Sequence, residues 1–137
     1  MLLINLMQAY ELNKLSTLGY TEEEILKALR KGDVSSWQEK AGEDDFAEIQ
    51  ALFQESEQSF LDAYNGHYRI KYVTLPGLRN LLRLRFGLEE GKNFQVLDTG
   101  VQHVTCDEET AQQIQQMLST NWSFVKQADG TYSITVG

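Results

Sequence analysis

Residues 60–78 read Phe60-Leu61-Asp62-Ala63-Tyr64-Asn65-Gly66-His67-Tyr68-Arg69-Ile70-Lys71-Tyr72-Val73-Thr74-Leu75-Pro76-Gly77-Leu78. Up to Tyr64 the apolar side chains recur at helical spacing, and after Asn65-Gly66 they alternate. Tyr68, Ile70 and Tyr72 fall on one side of an extended segment, His67, Arg69 and Lys71 on the other, which predicts a half-buried strand with a basic outer face. Pro76 and Gly77 then open a new helix. The chain therefore divides at about residue 65 into a helical half and a half built from strands and helices.

Upstream of the division, Leu3, Leu6, Met7, Tyr10, Leu15 and Leu18 predict a helix from Leu2 to Leu18, stopped at Gly19. Thr21 and Glu24 form a capping box, Tyr20 can staple onto Ile25, and Gly32 ends the helix that follows. A short helix should run from Asp33 or Ser35 through Lys40 with Trp37 facing inward. Phe46, Ile49, Phe53, Phe60 and Tyr64 then predict one long helix from about Glu43 to Tyr64.

Downstream, Leu78, Leu81, Leu82 and Leu84 belong to a helix closed near Gly87. Strands Asn93–Leu97 and Val101–Thr105 are joined by a tight turn at Asp98-Thr99-Gly100. Thr105 and Glu108 read as a second capping box before a helix to Leu118, and Trp122 to Val136 as a hairpin turning at Ala128-Asp129-Gly130. The fold class is α+β. Three to four helices precede a mixed or antiparallel sheet of about five strands with two helices, in the order β-α-β-β-α-β-β. A length of 137 residues suits a single domain, residues 1–137. Residues 76–105 and 106–136 are alike at an offset of thirty: Leu81 with Ala111, Leu84 with Ile114, Leu88 with Leu118, Phe94 with Phe124, Gly100 with Gly130, Val104 with Ile134. A duplication would place two αββ units in one sheet.

The net charge of −8 is unevenly held: residues 1–65 carry five basic and thirteen acidic side chains, residues 66–137 seven of each. The opening Met1–Met7 is too short and too interrupted to span a bilayer. The single cysteine, Cys106, cannot form an internal disulfide. A cytoplasmic protein without a membrane segment is expected.

Few motifs carry chemistry. Asp98-Thr99-Gly100 after Val96-Leu97 resembles the active-site turn of retroviral-type aspartic proteases over about six residues. Such a protease is nearly all β with a glycine-rich flap, which this chain lacks, and Asp and Gly are also what a hairpin turn requires. Gly87 to Lys92 is one residue short of a phosphate loop and puts Glu89 and Glu90 where phosphate charge would sit. His67, His103 and Cys106 offer at most three nitrogen or sulfur ligands, too few for a zinc site. No catalytic residue, metal or cofactor is assigned. Residues 18–40 are faintly similar to ubiquitin-associated domains at Leu18-Gly19-Tyr20, where a helix stop and a staple account for the same residues.

Two readings of function remain ahead of a small enzyme of unknown chemistry. In the first, the protein is a non-enzymatic inhibitor, immunity-type or regulatory factor that docks on a basic protein. Glu22, Glu23, Glu43, Asp44, Asp45 and Glu48 supply the field, and Tyr20 or Trp37 an aromatic anchor. In the second, Arg69, Lys71, Arg79, Arg83 and Arg85 bind nucleic acid, with Tyr68 or Tyr72 stacking. A helix followed by a hairpin is similar to the recognition helix and wing of winged-helix proteins, although only one helix separates the first strand from the wing. The apolar Leu2–Met7 would serve as core or as a homodimer patch.

Overall fold

The structure, a computed structural model, describes residues 2–42 and 45–136. Its elements are β1 (Leu2–Ile4), α1 (Leu6–Ser16), α2 (Glu22–Lys31), α3 (Ser35–Ala41), α4 (Ala47–Glu55), α5 (Glu57–Tyr64), β2 (Tyr68–Ile70), α6 (Leu75–Phe86), β3 (Gln95–Leu97), β4 (Gly100–Val104), α7 (Glu108–Met117), β5 (Trp122–Lys126) and β6 (Tyr132–Val136). The fold is α+β with the helices first. No helix among the described residues is long and apolar enough to cross a membrane.

Local capping chemistry explains where most helices start. At α2 the box closes as expected: Thr21 accepts from the Glu24 N–H, and Glu24 accepts from the Thr21 N–H, both at 3.1 Å. Gly32 and Gly87 end α2 and α6 in the left-handed conformation. Three boundaries differ from the sequence reading. Leu2–Ile4 are not helical, because Asn5 and Gln8 form a capping box that starts α1 only at Leu6. The apolar triplet instead pairs in parallel with β2, Leu2 opposite Tyr68 and Ile4 opposite Ile70. The long helix expected from Glu43 to Tyr64 is two helices; Ser56 is extended (φ −165°, ψ 120°) and its hydroxyl caps α5 by accepting from the Ser59 N–H. At α7 the cap is Asp107, which accepts from the Thr110 N–H at 2.7 Å, and not the Thr105–Glu108 box.

The strands form two sheets rather than one of about five. β1 and β2 make a parallel pair, while β3 to β6 make an antiparallel sheet in the order β3-β4-β6-β5. Each of the last two helices is followed by a hairpin, and both hairpins lie in that one sheet with β4 beside β6.

The helical half encloses Ile25, Leu29, Trp37, Phe46, Ile49 and Phe60, all buried. Phe46 precedes α4 in the left-handed region (φ 55°) and provides no side-chain cap. The buried Glu11 carboxylate of α1 accepts from the N–H groups of Glu48 and Ile49 at 3.1 and 3.2 Å, so the cap comes from another helix.

At Val73 the link between β2 and α6 is tied to the segment between α7 and β5. Its N–H donates to Ser119 Oγ (3.0 Å), its carbonyl accepts from Trp122 Nε1 (2.8 Å), and Ser119 Oγ donates onward to Asn121 Oδ1. Both bonds to Val73 are buried and replace water there. Ser119→Ala would leave the Val73 N–H buried without an acceptor and should cost about 1–3 kcal/mol. It reads out as a lower urea midpoint at unchanged m-value; an unchanged midpoint would mean that the joint does not hold the β2–α6 link to the α7–β5 segment.

Several carboxyls are held below their ordinary range by these turns and pairs. Asp107 is stabilised as the anion by the Thr110 hydroxyl and N–H, Asp129 by those of Thr131, Asp33 by those of Ser35, and Glu57 by the Arg30 guanidinium. Each is depressed in the folded state, so its contribution is complete above the unfolded carboxyl value of about 4 and is lost as pH falls through the folded values. The melting temperature should therefore fall steadily below about pH 4. A D107N/E57Q variant should show a shallower decline, in scans by circular dichroism.

Candidate interaction surfaces

The acidic residues occupy two places. Glu22 and Glu23 are exposed on the first turn of α2, where the positive end of the helix dipole favours them. This turn lies along α5 in antiparallel fashion. Arg30 at the far end of α2 pairs with Glu57 at the start of α5 (2.9 Å), and Glu22 lies close enough to Tyr64 at the end of α5 to help burial raise its phenol. The second place is the turn before α4. Asp45 is exposed there and its carboxylate accepts from the Ala47 N–H (3.0 Å), while Glu48 is half-buried in the first turn of α4. Glu43 and Asp44 lie outside the described residues.

The aromatic anchors divide. Tyr20 is half-buried, with Lys40 Nζ 4.4 Å from its ring centroid and Trp37 at 6.3 Å. Trp37 is 1% exposed and packs edge-to-face on Phe46 at 5.7 Å. Trp37 is thus a core residue and not a surface anchor; its indole is the largest side chain fully buried. Tyr20 remains beside Glu22 and Glu23, within four residues of chain.

The five basic residues do not form one face. Arg79 Nε and Nη2 bind Glu90 Oε1 at 2.8 and 2.6 Å. Arg83, one turn on, is exposed, and both guanidinium groups line a cavity with Pro76, Asn80, Leu88, Glu90 and Phe94. Arg69 points elsewhere, into a groove with Glu109, Gln112 and Gln116 of α7. Arg85 lies over the rings of Tyr68 and Phe86 (4.9 and 5.0 Å) and donates to the Gly66 carbonyl. Lys71 is exposed just past β2. None of the ion pairs among the described residues joins this stripe to the acidic helices. Of the stacking candidates, Tyr68 is buried and accepts from Asn13 Nδ2 (3.1 Å), whereas Tyr72 is 63% exposed.

The reactive side chains stay apart. His103 sits in a bulge of β4 with φ 54°, exposed, its Nδ1 3.9 Å from Asp129. The depression beside it is lined by Gln102, Gln127, Ser133 and Thr135, and takes in none of His67, Asp98 and Cys106. The half-buried Cys106 thiol is pushed up by burial and by the Asp107 carboxylate, the reverse of what a nucleophile needs. Among the described residues no three His, Cys, Asp or Glu side chains gather to hold a metal.

Gly100 explains the Asp98-Thr99-Gly100 string. Its φ is +155°, and a Cβ there would lie 2.0 Å from the Ile134 carbonyl oxygen of β6. The glycine is required by the close approach of β4 to β6, and Asp98 and Thr99 stand exposed in the turn. What the sequence reading missed is non-local: the partner Glu90 of Arg79, beyond the helix stop at Gly87, and the buried Glu11. No protein-family model, no curated protein and no solved structure matches the chain.

Gly100→Ala should cost about 3 kcal/mol, because backbone and not a flexible side chain must yield. Gly130→Ala, with φ +87° but nothing within 4 Å of the added carbon, should cost only about 1 kcal/mol. Urea denaturation of the two variants checks the contrast.

Proposed function

We propose that the protein is a non-enzymatic interaction factor, of an inhibitor, immunity or regulatory type, whose acidic helical half docks on a basic protein surface. The observation that carries this reading is the placement of charge. Glu22 and Glu23 are exposed and are not ion-paired among the described residues, and the basic side chains of 69–85 do not turn back to neutralise them. An acid excess left on the surface costs self-repulsion and is offset when a basic partner approaches, which steers encounter and is sensitive to salt. Tyr20, with the Lys40 ammonium over its ring, supplies the amphipathic contact beside those acids. Asp45 adds an exposed carboxylate in the turn before α4.

Nucleic acid is the weaker partner. Phosphate recognition of useful strength needs several cations on one track, and here Arg79 is paired, Arg85 is stacked inward and Arg69 faces a different groove from Arg83. The acidic helices add a net repulsion.

The test uses the tagged full chain against lysate of its native host at low and high salt, with and without nuclease. A protein captured despite nuclease and released by salt should bind at least about tenfold more slowly to an E22K/E23K variant. That variant keeps the Thr21–Glu24 box, so its circular dichroism should be unchanged. Capture unaffected by charge reversal, or capture that vanishes with nuclease, would sink the reading.

A further inference from the structure

The cavity between α6 and the loop that follows it lies outside the acidic docking surface, although Arg79 and Arg83 of the basic stretch line it. We propose that it binds a small molecule in which an apolar body carries one anionic group, a carboxylate or a phosphate monoester. The cavity holds about 450 Å³, within the range of sites for small ligands. Its lining is graded. Leu88 and Phe94 are buried beneath, while Pro76, Arg79, Asn80, Arg83 and Glu90 are exposed around them.

The wall opposite α6 is pre-formed by its own hydrogen bonds. The Leu88 N–H donates to Leu82 O (2.9 Å), the Glu89 N–H to Asn93 Oδ1 (2.9 Å) and the Asn93 N–H to Glu89 O (2.7 Å). The Gly91 N–H donates to Phe94 O (2.7 Å), and the Thr105 N–H to Asn93 O (2.8 Å), which ties the loop to the end of β4. A ligand entering here meets walls that need not be ordered first, so little conformational entropy opposes it.

Charge sets the ligand class. Glu90 matches Arg79 and holds its guanidinium in place through two bonds to one oxygen. Arg83, one turn further along α6, has no ion-pair partner among the described residues, so the lining carries one uncompensated positive charge. The Asn80 amide beside it offers two donors and an acceptor. One anionic group fits this set, and an apolar floor of Leu88 and Phe94 fits a ring or branched hydrocarbon behind it. A polyanion is disfavoured, since a second phosphate would meet Glu90.

The experiment follows the Arg79 and Arg83 Nε–H and the Asn80 side-chain amide of the isotope-labelled full chain by NMR. Benzoate, phenyl phosphate, inorganic phosphate, benzyl alcohol and a short DNA duplex are titrated in turn. Benzoate or phenyl phosphate should move the Arg83 and Asn80 signals saturably. The tighter of the two names the anion, and it should bind at least about tenfold tighter than inorganic phosphate or benzyl alcohol. Arg83→Gln should weaken it by at least about tenfold, while Lys71→Gln should leave it unchanged. The proposal is overturned by the absence of saturable shifts, by inorganic phosphate binding as well as the aromatic anions, by a tighter and steeply salt-dependent duplex, or by an unaffected Arg83→Gln variant. Because the cavity shares no residue with the acidic surface, either result leaves the docking reading to its own test.

Discussion

The peptide of Val73 is where the architecture is decided. Two polar backbone groups in a short irregular link are buried between the parallel strand pair and the α6–α7 layer, and neither sits in a ladder. Left unmatched, each would cost on the order of 1–3 kcal/mol. Both partners come from a segment more than forty residues later, Ser119 and Trp122, on the stretch between α7 and β5. The β2–α6 link and the segment that leads from α7 into the four-stranded sheet therefore share one polar joint, and neither can be repacked without exposing it. Trp122 acts here as the residue best suited to such a seam, its ring apolar and its single N–H committed to one acceptor.

The helical half has its own version of the same solution. α4 starts from a left-handed Phe46 whose ring is needed against Trp37, so the position that would ordinarily hold a capping side chain is spent on core packing. The buried Glu11 carboxylate takes over, accepting two N–H groups at the positive end of α4. A buried carboxylate without such donors would be costly, and a helix start without such an acceptor would leave orphan donors. Placing one against the other satisfies both and fixes α1 on α4. Asn13, two residues further along α1, makes a separate buried polar contact with the Tyr68 hydroxyl on β2.

How far the sequence could reveal this follows from distance along the chain. Thr21, Glu24, Gly32 and Gly87 act on neighbours within four residues, and their roles could be read directly. The break at Ser56 was legible only in part, because an apolar stripe of Phe53, Phe60 and Tyr64 continues on both sides of it and a serine on that stripe looks helical. Leu2-Leu3-Ile4 is three residues long, too short for periodicity to separate strand from helix; what makes it a strand is β2, sixty-six residues away. The candidate sites followed the same rule. The exposure of Glu22 and Glu23 could be expected from their place on the first turn of a capped helix. The burial of Trp37, the partner of Arg79 and the stacking of Arg85 on Tyr68 depend on which elements meet, and no local pattern encodes that.

The two helix-hairpin units show the same scaffold put to different uses. In the sheet order β3-β4-β6-β5 the hairpins are arranged symmetrically about the β4–β6 junction, the arrangement in which Gly100 must admit the Ile134 carbonyl. The segments that leave the two helices are not alike. After α6, residues 87–94 fold on themselves through hydrogen bonds between Glu89 and Asn93 and from Gly91 to Phe94, and form the wall of a cavity. After α7, residues 118–121 are too few to do that and instead turn Ser119 and the following Trp122 onto Val73. The shorter connection thus ties the last hairpin to the β2–α6 link, while the longer one shapes a wall. A loop anchored in the core by Leu88 and Phe94 can keep the charged Glu90 at its rim, facing the arginines and the Asn80 amide of α6 where a binding surface needs them.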